Sequence, residues 1–347
     1  MIVGIVGGGQ LARMMALAGI PLGLQFIFLD PATDACAAQL GEHLCGAYDD
    51  AALLNTLAEK ADLVTYEFEN VPISAIATLE QKINLYPAQA VLASAGDRIY
   101  EKNLFRSLDI ATVPFASVNS FAELEEAVKT ITLPAVLKTR TLGYDGKGQV
   151  VLRHHDDLAS AWSRLGTVPL ILEGFASFQR EISVISVRGR DGEMVFYPLS
   201  ENVHCDGILH TAKSCPADPR QSLAEAYARR IMEKLNYVGV MALELFDSGN
   251  ELLANEMAPR VHNSGHWTIE GAVTSQFENH LRAILGLPLG STQAKGEATM
   301  VNIIGTIPDI SQILSVPNQH LHLYNKKPYP GRKLGHVTRW SASQPIT

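Results

Sequence analysis

The chain has 347 residues, of which 47% are hydrophobic and 18% are charged, and its formal net charge at pH 7 is −8. This length predicts about two domains, and the composition excludes a globally disordered chain. The acidic balance argues against non-specific nucleic-acid binding, which needs a basic surface, and no run approaches the roughly 20 apolar residues of a membrane span.

The first segment alternates short apolar runs with helical patterns. Strands are predicted at 2–6, 25–29, 62–65 and 83–86, and helices at 11–18 and 50–60. Strands that alternate with helices indicate βαβ units and a parallel sheet. We therefore expect an α/β, Rossmann-like N-terminal domain over residues 1–97.

The following segment, 98–290, has an α+β pattern. It is predicted to contain helices at 98–108 and 219–235, strands at 134–138, 149–152 and 169–173, and two hairpins, 180–188 with 193–199 and 238–246 with 251–257. A glycine-rich, proline-containing break near Gly290 separates a small C-terminal domain, 291–347. That domain has predicted strands at 299–305 and 320–324 and a basic stretch at 325–336.

The N-terminus and the cysteines both favour a cytoplasmic location. The first residues form a strand and a helix with no cationic signal-peptide region before them. The four cysteines show no C-x-x-C spacing, and neither a disulfide framework nor a zinc site is expected from them. His262 and His266 are four residues apart, but the Ser264-Gly265 break between them predicts a loop rather than a zinc-binding helix.

A glycine cluster follows the first predicted strand. Gly7, Gly9 and Ala12 satisfy the G-x-G-x-x-A pattern, and Asp30 ends the next strand. This is the fingerprint of a dinucleotide-binding turn with an acid for the ribose. An NAD-dependent oxidoreductase is therefore one hypothesis, although any phosphate-binding βα turn favours the same glycines.

A second glycine-rich loop follows Lys138. Glycines at 143, 146 and 148 allow a loop whose backbone N–H groups can close over phosphates, and the lysine supplies a fixed cation. A plain hairpin turn remains the alternative. The spacing does not match a Walker loop.

Two glutamates lie on either side of the turn in the predicted hairpin 238–257. Glu244 and Glu256 are expected at similar heights and on the same face, Glu244 within a strongly apolar strand. Two buried carboxylates repel each other unless a cation lies between them. Magnesium with nucleotide phosphates fits this pattern, and neutralisation by Arg260 or another cation is the alternative.

Together these features resemble the ATP-grasp fold. The segments TYEFENVP (65–72), GYDGKGQ (143–149), NEMAPRVHNSGHWT (255–268) and YPGRKLGH (329–336) resemble, within that fold, the 5-(carboxyamino)imidazole ribonucleotide synthases. The resemblance covers residues 2 to about 338. It implies an ADP-forming ligase of purine biosynthesis that uses ATP, Mg²⁺ and bicarbonate to carboxylate 5-aminoimidazole ribonucleotide through carboxyphosphate. It also implies a homodimer and a mobile lid around 113–175.

The resemblance assigns roles to individual residues. Arg260 and Lys138 are the expected catalytic residues, and Glu244 and Glu256 the expected metal ligands. The expected ATP site comprises Arg98, Lys138, Gly143, Tyr144, Asp145, Gly146, Lys147, Gly148, Gln149, Glu173, Glu181, His204, Asn255 and Glu256. The expected substrate site comprises Gln10, Glu69, Tyr144, Asp145, Lys147, Arg260, His262, Asn263, Ser264, Lys326, Arg332 and Lys333.

Three departures from the family pattern bear on these roles. Lys147 stands where related chains often have Arg, Ala258 stands where many ATP-grasp enzymes have a metal-binding Asn, and the chain ends at Thr347, where family members usually continue. A formate-using purine ATP-grasp enzyme, a non-catalytic nucleotide-binding regulator and a solvated basic tail at 325–336 remain alternatives.

Overall fold

The structure, a computed structural model, describes residues 1–143 and 147–342. In these ranges the chain forms one parallel sheet, one small antiparallel sheet and one large antiparallel sheet, with helices packed on each. No helix in the described ranges has both the length and the apolar character needed to cross a membrane.

The N-terminal part is a parallel sheet with helices on both faces. Its elements are β1 (Ile2–Val6), α1 (Gln10–Gly19), β2 (Gln25–Asp30), β3 (Glu42–Cys45), α2 (Ala51–Lys60), β4 (Leu63–Tyr66), α3 (Ile73–Glu80) and α4 (Gln89–Ala95). The strand order is β3-β2-β1-β4. Alternate β1 residues enter two different apolar clusters, Val3 and Ile5 in one and Val6 in the other. Burial on both faces explains the continuous apolar runs from which the parallel sheet was predicted.

The strand predicted at 83–86 is reduced to a single bridge beside β4. Within the described chain this segment makes only a single parallel bridge, between Leu85 and Val64 of β4. The N–H of Tyr86 still donates to the carbonyl of Val64. The next residue is Pro87, which has no N–H to donate, so the pairing ends there.

A small antiparallel sheet follows α5 (Arg98–Ser107). Its elements are β5 (Phe115–Val118), α6 (Phe121–Thr130), β6 (Ala135–Thr139), β7 (Gln149–Leu152), α7 (Asp157–Leu165) and β8 (Leu170–Gly174). The strand order is β5-β8-β6-β7, and both helices pack on the sheet around Leu124, Leu137 and Leu172. The strands predicted at 134–138, 149–152 and 169–173 are confirmed to within one residue.

The remaining elements build the large sheet. They are β9 (Arg180–Arg188), β10 (Met194–Phe196), β11 (Leu199–Cys205), β12 (Ile208–Cys215), α8 (Gln221–Lys234), β13 (Gly239–Asp247), β14 (Leu252–Ala258), α9 (Thr268–Gly271), α10 (Gln276–Leu285), β15 (Gly296–Ile304), α11 (Ile310–Leu314), β16 (Gln319–Leu323) and β17 (Lys333–Ala342). The order is β14-β13-β9-β11-β12-β15-β17-β16, and β10 pairs with β9.

Two features of this sheet were not predicted from the sequence. The strand expected at 193–199 is split into β10 and β11, with Pro198, which cannot donate to a ladder, between them. The sheet also continues across the expected boundary at 290, because β12 pairs with β15. The C-terminal strands therefore extend the same sheet that carries the paired glutamates.

A buried histidine connects the N-terminal part to the large sheet. His280 on α10 accepts a hydrogen bond at Nδ1 from the N–H of Val240, at 3.1 Å, so its proton lies on Nε2. That Nε2 lies 2.9 Å from the hydroxyl of Thr65 on β4. Burial lowers the pKa of His280 to about 4, because the charged imidazolium would have no solvent around it.

His280→Asn is predicted to change the pH dependence of stability. Between pH 6.5 and 4 this histidine is protonated in the unfolded wild-type chain but not in the folded one. The free energy of unfolding of the wild type therefore falls as the pH falls. We expect the stability difference between wild type and variant to be constant above pH 6.5. Below it, the difference should shrink by up to about 1.4 kcal/mol per pH unit.

Urea unfolding at pH 5.0 and pH 7.5 measures this difference. His320→Asn is the matched control, because His320 is exposed on β16. An equal wild-type-minus-variant difference at both pH values would contradict the assigned protonation state of His280.

Candidate active site

The two glutamates of the β13–β14 hairpin face each other directly. Glu244 on β13 and Glu256 on β14 are register partners, as predicted. The next pair along the strands is Leu245 with Ala254, so Asn255 is an extra residue in β14 and forms a β-bulge. Bulges of this kind re-aim a side chain at the edge of a sheet, and here the bulge brings Glu256 opposite Glu244.

The two carboxylates have opposite pKa shifts. Burial and the neighbouring Glu256 charge raise the pKa of Glu244 to about 7. Burial also opposes ionisation of Glu256, but Arg98, whose Nη1 lies 2.7 Å from Oε2, outweighs it and lowers the pKa of Glu256 to about 2. Of the alternative, neutralisation by Arg260 or another cation, the second form describes Glu256, since Arg98 contacts it and Arg260 pairs with Glu69 instead. The Nε2 of His262 lies 3.2 Å from Glu244, and burial keeps the pKa of His262 well below its usual value.

A second ion pair lies beside the first. Lys138 at the end of β6 donates to Glu173 on β8 at 2.7 Å. Burial alone would raise the pKa of Glu173, but Lys138 and Lys102 lower it to about 2. Arg98, which holds Glu256, also acts on Glu173, so the two pairs form one connected cluster.

The helix that carries Arg98 starts at that residue for a local reason. The side chain of Asp97 caps α5 by accepting from the N–H of Ile99 at 2.8 Å. Asp97 also receives hydrogen bonds from both Nε and Nη2 of Arg140, which follows β6. The cap therefore fixes the start of α5 against the small sheet.

Glu181 and His204, both expected in the ATP site, are neighbours on β9 and β11. Nδ1 of His204 lies 2.7 Å from Oε2 of Glu181. Burial lowers the pKa of His204, but Glu181 and Glu244 outweigh burial and raise it. The Glu181–His204 pair is thereby linked electrostatically to the Glu244–Glu256 pair.

Arg260, expected to be catalytic, is paired with a residue of the N-terminal part. Its Nε lies 2.5 Å from Oε2 of Glu69, which follows β4. Burial would raise the pKa of Glu69, but Arg260 outweighs it and lowers the pKa. Both side chains remain partly exposed, at 16% and 24%, so they can be reached from solvent.

The two residues after His262 are engaged within the protein. Asn263 exchanges side-chain amide hydrogen bonds with Asn302, at 3.1 and 2.7 Å. Ser264 is fully buried, and its hydroxyl bonds with Ser183 and His262. Ser264 is therefore enclosed by the protein, whereas Asn263 stays half-buried.

The basic C-terminal stretch reaches the first glycine cluster. Lys326 donates to the side chain of Gln10 at the start of α1. Arg332 stacks over Tyr329, 4.8 Å from the ring centre, and the charges of Arg332 and Lys333 both act on Lys326. Lys326 is partly buried and Lys333 begins β17, so the alternative of a solvated basic tail is wrong for these residues.

The ends of the second glycine loop are described, and its centre is not. Gly143 lies near Arg98, Gly148 has a φ of +72°, and Lys147 and Gln149 are exposed, with Gln149 paired to Lys138. The expected site residues Tyr144, Asp145 and Gly146 lie outside the described residues.

The first glycine cluster is occupied by carboxylates of the protein itself. Glu67 accepts hydrogen bonds from the N–H groups of Gly9 and Ala12, and Asp30 accepts from Gly8 at 2.8 Å and from Tyr48. Glu67 therefore lies where a dinucleotide pyrophosphate would bind at the start of α1. The NAD hypothesis is wrong for this physical reason.

Two residues of the cluster were missed by the sequence analysis. Glu101 and Lys102 on α5 are almost fully buried, with 2% and 0% exposure, and both contact β14. Their spacing from Arg98, three and four residues, places all three on one face of the helix. A helix face carrying three charged residues was the sequence feature that could have indicated Glu101 and Lys102 as members of the site.

The chain matches three family models in succession. A ribonucleotide synthetase preATP-grasp domain covers residues 1–96, an ATP-grasp domain covers 103–277, and a phosphoribosylaminoimidazole carboxylase C-terminal domain covers 298–346. The chain is also 55% identical to the N5-carboxyaminoimidazole ribonucleotide synthase of Pseudomonas aeruginosa, covering 97% of this chain and 93% of the relative. The chain belongs to the N5-carboxyaminoimidazole ribonucleotide synthase family.

Solved structures of that family agree. The enzyme from Thermus thermophilus superposes with a TM-score of 0.94 at 54% identity, covering 98% of this chain and 93% of that one. The synthase from Aspergillus clavatus in complex with ADP and 5-aminoimidazole ribonucleotide has a TM-score of 0.91 at 32% identity, covering 99% and 94%. These matches confirm the predicted family, the ATP-grasp fold and the ligase class.

Gly9→Ala is predicted to destabilise the protein. Gly9 has an ordinary φ of −80°, so backbone strain is not the cause, but an added Cβ would lie 2.6 Å from Oε1 of Glu67. We expect a loss of about 1–3 kcal/mol by chemical denaturation, typical of an overpacked site.

Removing the clashing partner provides the control. In a Glu67→Ala background the cost of Gly9→Ala should largely disappear, because the two residues are in contact. Equal costs in both backgrounds would rule out the Glu67 contact as the reason for glycine at this position.

Proposed function

We propose that this chain carboxylates 5-aminoimidazole ribonucleotide with bicarbonate and ATP, giving the 5-(carboxyamino) product, ADP and phosphate. The observation that carries the proposal is the directly opposed pair Glu244 and Glu256, with side chains 13% and 40% exposed, beside the Lys138–Glu173 pair. An acidic pair next to a fixed cation suits a metal–nucleotide complex. The same arrangement lies in a chain whose relatives carry the synthase name.

The residues fit Mg²⁺ held jointly by protein and phosphates. In the described ranges no group of three or more His, Cys, Asp or Glu side chains has the arrangement of a metal site. Glu244 and Glu256 would therefore supply two carboxylates, with phosphate and water oxygens completing the shell, consistent with Ala258 providing no ligand. The pKa of Glu244 is raised to about 7 by burial and then by the charge of Glu256, and a bound cation would offset both effects. Mg²⁺ bound there would neutralise charge on the transferred phosphoryl group.

The nucleotide is proposed to lie between the small and large sheets. Lys138 and Arg98 would bind its phosphates, Glu173 would fix the direction of Lys138, and Glu181 with His204 would contact the ribose. The glycine loop 142–148 and the lid around 113–175 would close over the phosphates. Closure would exclude water, which otherwise destroys carboxyphosphate.

Bicarbonate and the ribonucleotide are proposed to bind where the N-terminal part meets Arg260 and the basic C-terminal stretch. Bicarbonate carbon is a poor electrophile until phosphorylation gives it a leaving group. Arg260, oriented by Glu69 at 2.5 Å, would hold bicarbonate and then carboxyphosphate beside the exocyclic amine. Lys326, Arg332 and Lys333 would bind the ribonucleotide phosphate, with Gln10 orienting Lys326.

We further propose a homodimer in the cytoplasm with domain units 1–97, 98–290 and 291–347. The N-terminal unit exposes Leu17, Ile20 and Leu22 on and just after α1, at 44%, 47% and 40%. An apolar patch of this kind is typical of a subunit interface. Sedimentation equilibrium of the purified chain measures the oligomeric state.

Turnover is predicted to depend on every substrate of the proposed reaction. ADP release should require Mg²⁺, ATP, bicarbonate and 5-aminoimidazole ribonucleotide together, and bicarbonate label should enter an acid-labile product. Glu256→Gln should abolish turnover because a neutral amide cannot replace the carboxylate next to Mg²⁺. Turnover with formate would shift the substrate class, and ATP binding without turnover would indicate a regulator.

Lys326→Met and Arg260→Met are predicted to affect different kinetic constants. Lys326→Met should raise the KM for the ribonucleotide about tenfold or more through loss of a charge-assisted hydrogen bond. It should leave the KM for ATP unchanged. Arg260→Met should instead lower kcat by about 100-fold or more, as expected when a preorganised charge is removed.

Steady-state kinetics with each substrate varied in turn measures both effects. Lys327→Met is the matched control, because Lys327 is 85% exposed and pairs only loosely, at 3.5 Å, with Asp34. If Lys326→Met raised only the KM for ATP, the proposed binding of the ribonucleotide phosphate by Lys326 would be contradicted.

A further inference from the structure

The bulged strand that carries Glu256 lies at the edge of the large sheet. In the described part of the chain, β14 ends the strand order and has β13 as its neighbour on one side. The other side presents backbone groups to α5 and the segment after it. An edge strand without partners on that side would be free to shift, and a bulge makes the register less well determined.

Side chains of α5 complete the missing hydrogen bonds around the bulge. Lys102 Nζ donates to the carbonyl of Asn255 at 3.0 Å, and Glu101 Oε1 accepts from the N–H of Met257 at 2.7 Å. These two backbone groups flank Glu256 directly. One donor and one acceptor thus contact the strand as a neighbouring strand would.

The same helix reaches the side chains of the site. Arg98, one turn before Lys102, contacts Glu256, and Lys102 Nζ lies 3.5 Å from Oε1 of Glu173. Oε1 of Glu173 is buried and has no hydrogen bond within the described chain, so this charge contact is its nearest compensation. A fully buried lysine is costly unless it is paired, which indicates a specific role for Lys102.

We propose that Glu101 and Lys102 are positioning residues that hold the β14 bulge in register and so set the geometry of the Glu244–Glu256 pair toward Mg²⁺–nucleotide. Lys102 in addition orients Glu173, and through it Lys138. Neither side chain touches substrate in this proposal. It rests on the proposed metal role of Glu256.

The test is the Mg²⁺ concentration needed for tight ADP binding, measured by calorimetry on the full chain. Lys102→Met removes the donor at similar length, and Glu101→Met removes the acceptor. Both should raise the Mg²⁺ midpoint, the Mg²⁺ concentration at which half of the tight ADP binding is reached, roughly tenfold. Loss of a partner that orients a metal ligand typically has an effect of this size. Glu101→Gln keeps an acceptor oxygen for Met257 and should bind like wild type, and Lys129→Met, on an exposed ion pair, is the control.

Hydrogen exchange gives a second measurement that does not depend on the metal. The amide of Met257 should exchange faster in Glu101→Met than in Glu101→Gln, while the amide of Leu243 on β13 should not change. If Lys102→Met does not fold, the Glu101 pair of variants decides the question. An unchanged Mg²⁺ midpoint in the folded Met variants would reduce their role to protection of the sheet edge and overturn the proposal.

Glu256→Gln separates this inference from the proposed function. If Glu256→Gln raises the Mg²⁺ midpoint and the Met variants at 101 and 102 do not, only the positioning role fails. If Glu256→Gln binds Mg²⁺–ADP like wild type, the metal role of Glu256 fails, and the positioning role fails with it.

Discussion

The repulsion between two directly opposed carboxylates is the constraint on which the rest of the site depends. Glu244 and Glu256 are register partners on neighbouring strands, and because the side chain of Glu244 is only 13% exposed, a second negative charge beside it is costly. Arg98, 2.7 Å from Glu256, neutralises one of the two charges, while the pKa of Glu244 stays raised, at about 7. The carboxylate of Glu244 beside Glu256 is the reason for proposing a divalent cation with nucleotide phosphates at this place.

The parts of the chain meet around this pair through a few polar contacts. Thr65 and Glu69, on and just after β4, contact His280 and Arg260, and Gln10 contacts Lys326 from the C-terminal stretch. Because the C-terminal strands continue the sheet that carries Glu244, Lys333 at the start of β17 and Glu244 on β13 belong to one hydrogen-bonded ladder. Such a scaffold holds reacting groups at fixed distances, which is the main requirement of phosphoryl transfer.

The first glycine cluster shows how one local pattern can serve different purposes. A βα turn rich in glycine offers N–H groups to any anion, and here the anion is Glu67, more than 50 residues away in the chain. With its N-terminus already satisfied, α1 can present Gln10 to Lys326. The glycine pattern alone cannot distinguish the two kinds of turn. They differ only in whether a carboxylate of the protein or a dinucleotide pyrophosphate accepts hydrogen bonds from the N–H groups.

The sequence by itself determined the parallel N-terminal sheet, the β13–β14 hairpin and the family, because apolar periodicity and contiguous segments such as 255–268 are local properties. The same locality explains the failure at Pro198, where a missing N–H interrupts a strand that the apolar pattern favoured. Only the tertiary structure decided which cation faces each carboxylate: Arg98 for Glu256, Arg260 for Glu69 and Lys102 near Glu173. Those choices depend on distances between segments far apart in the chain, and charge pairing at such distances leaves no periodic trace in the sequence.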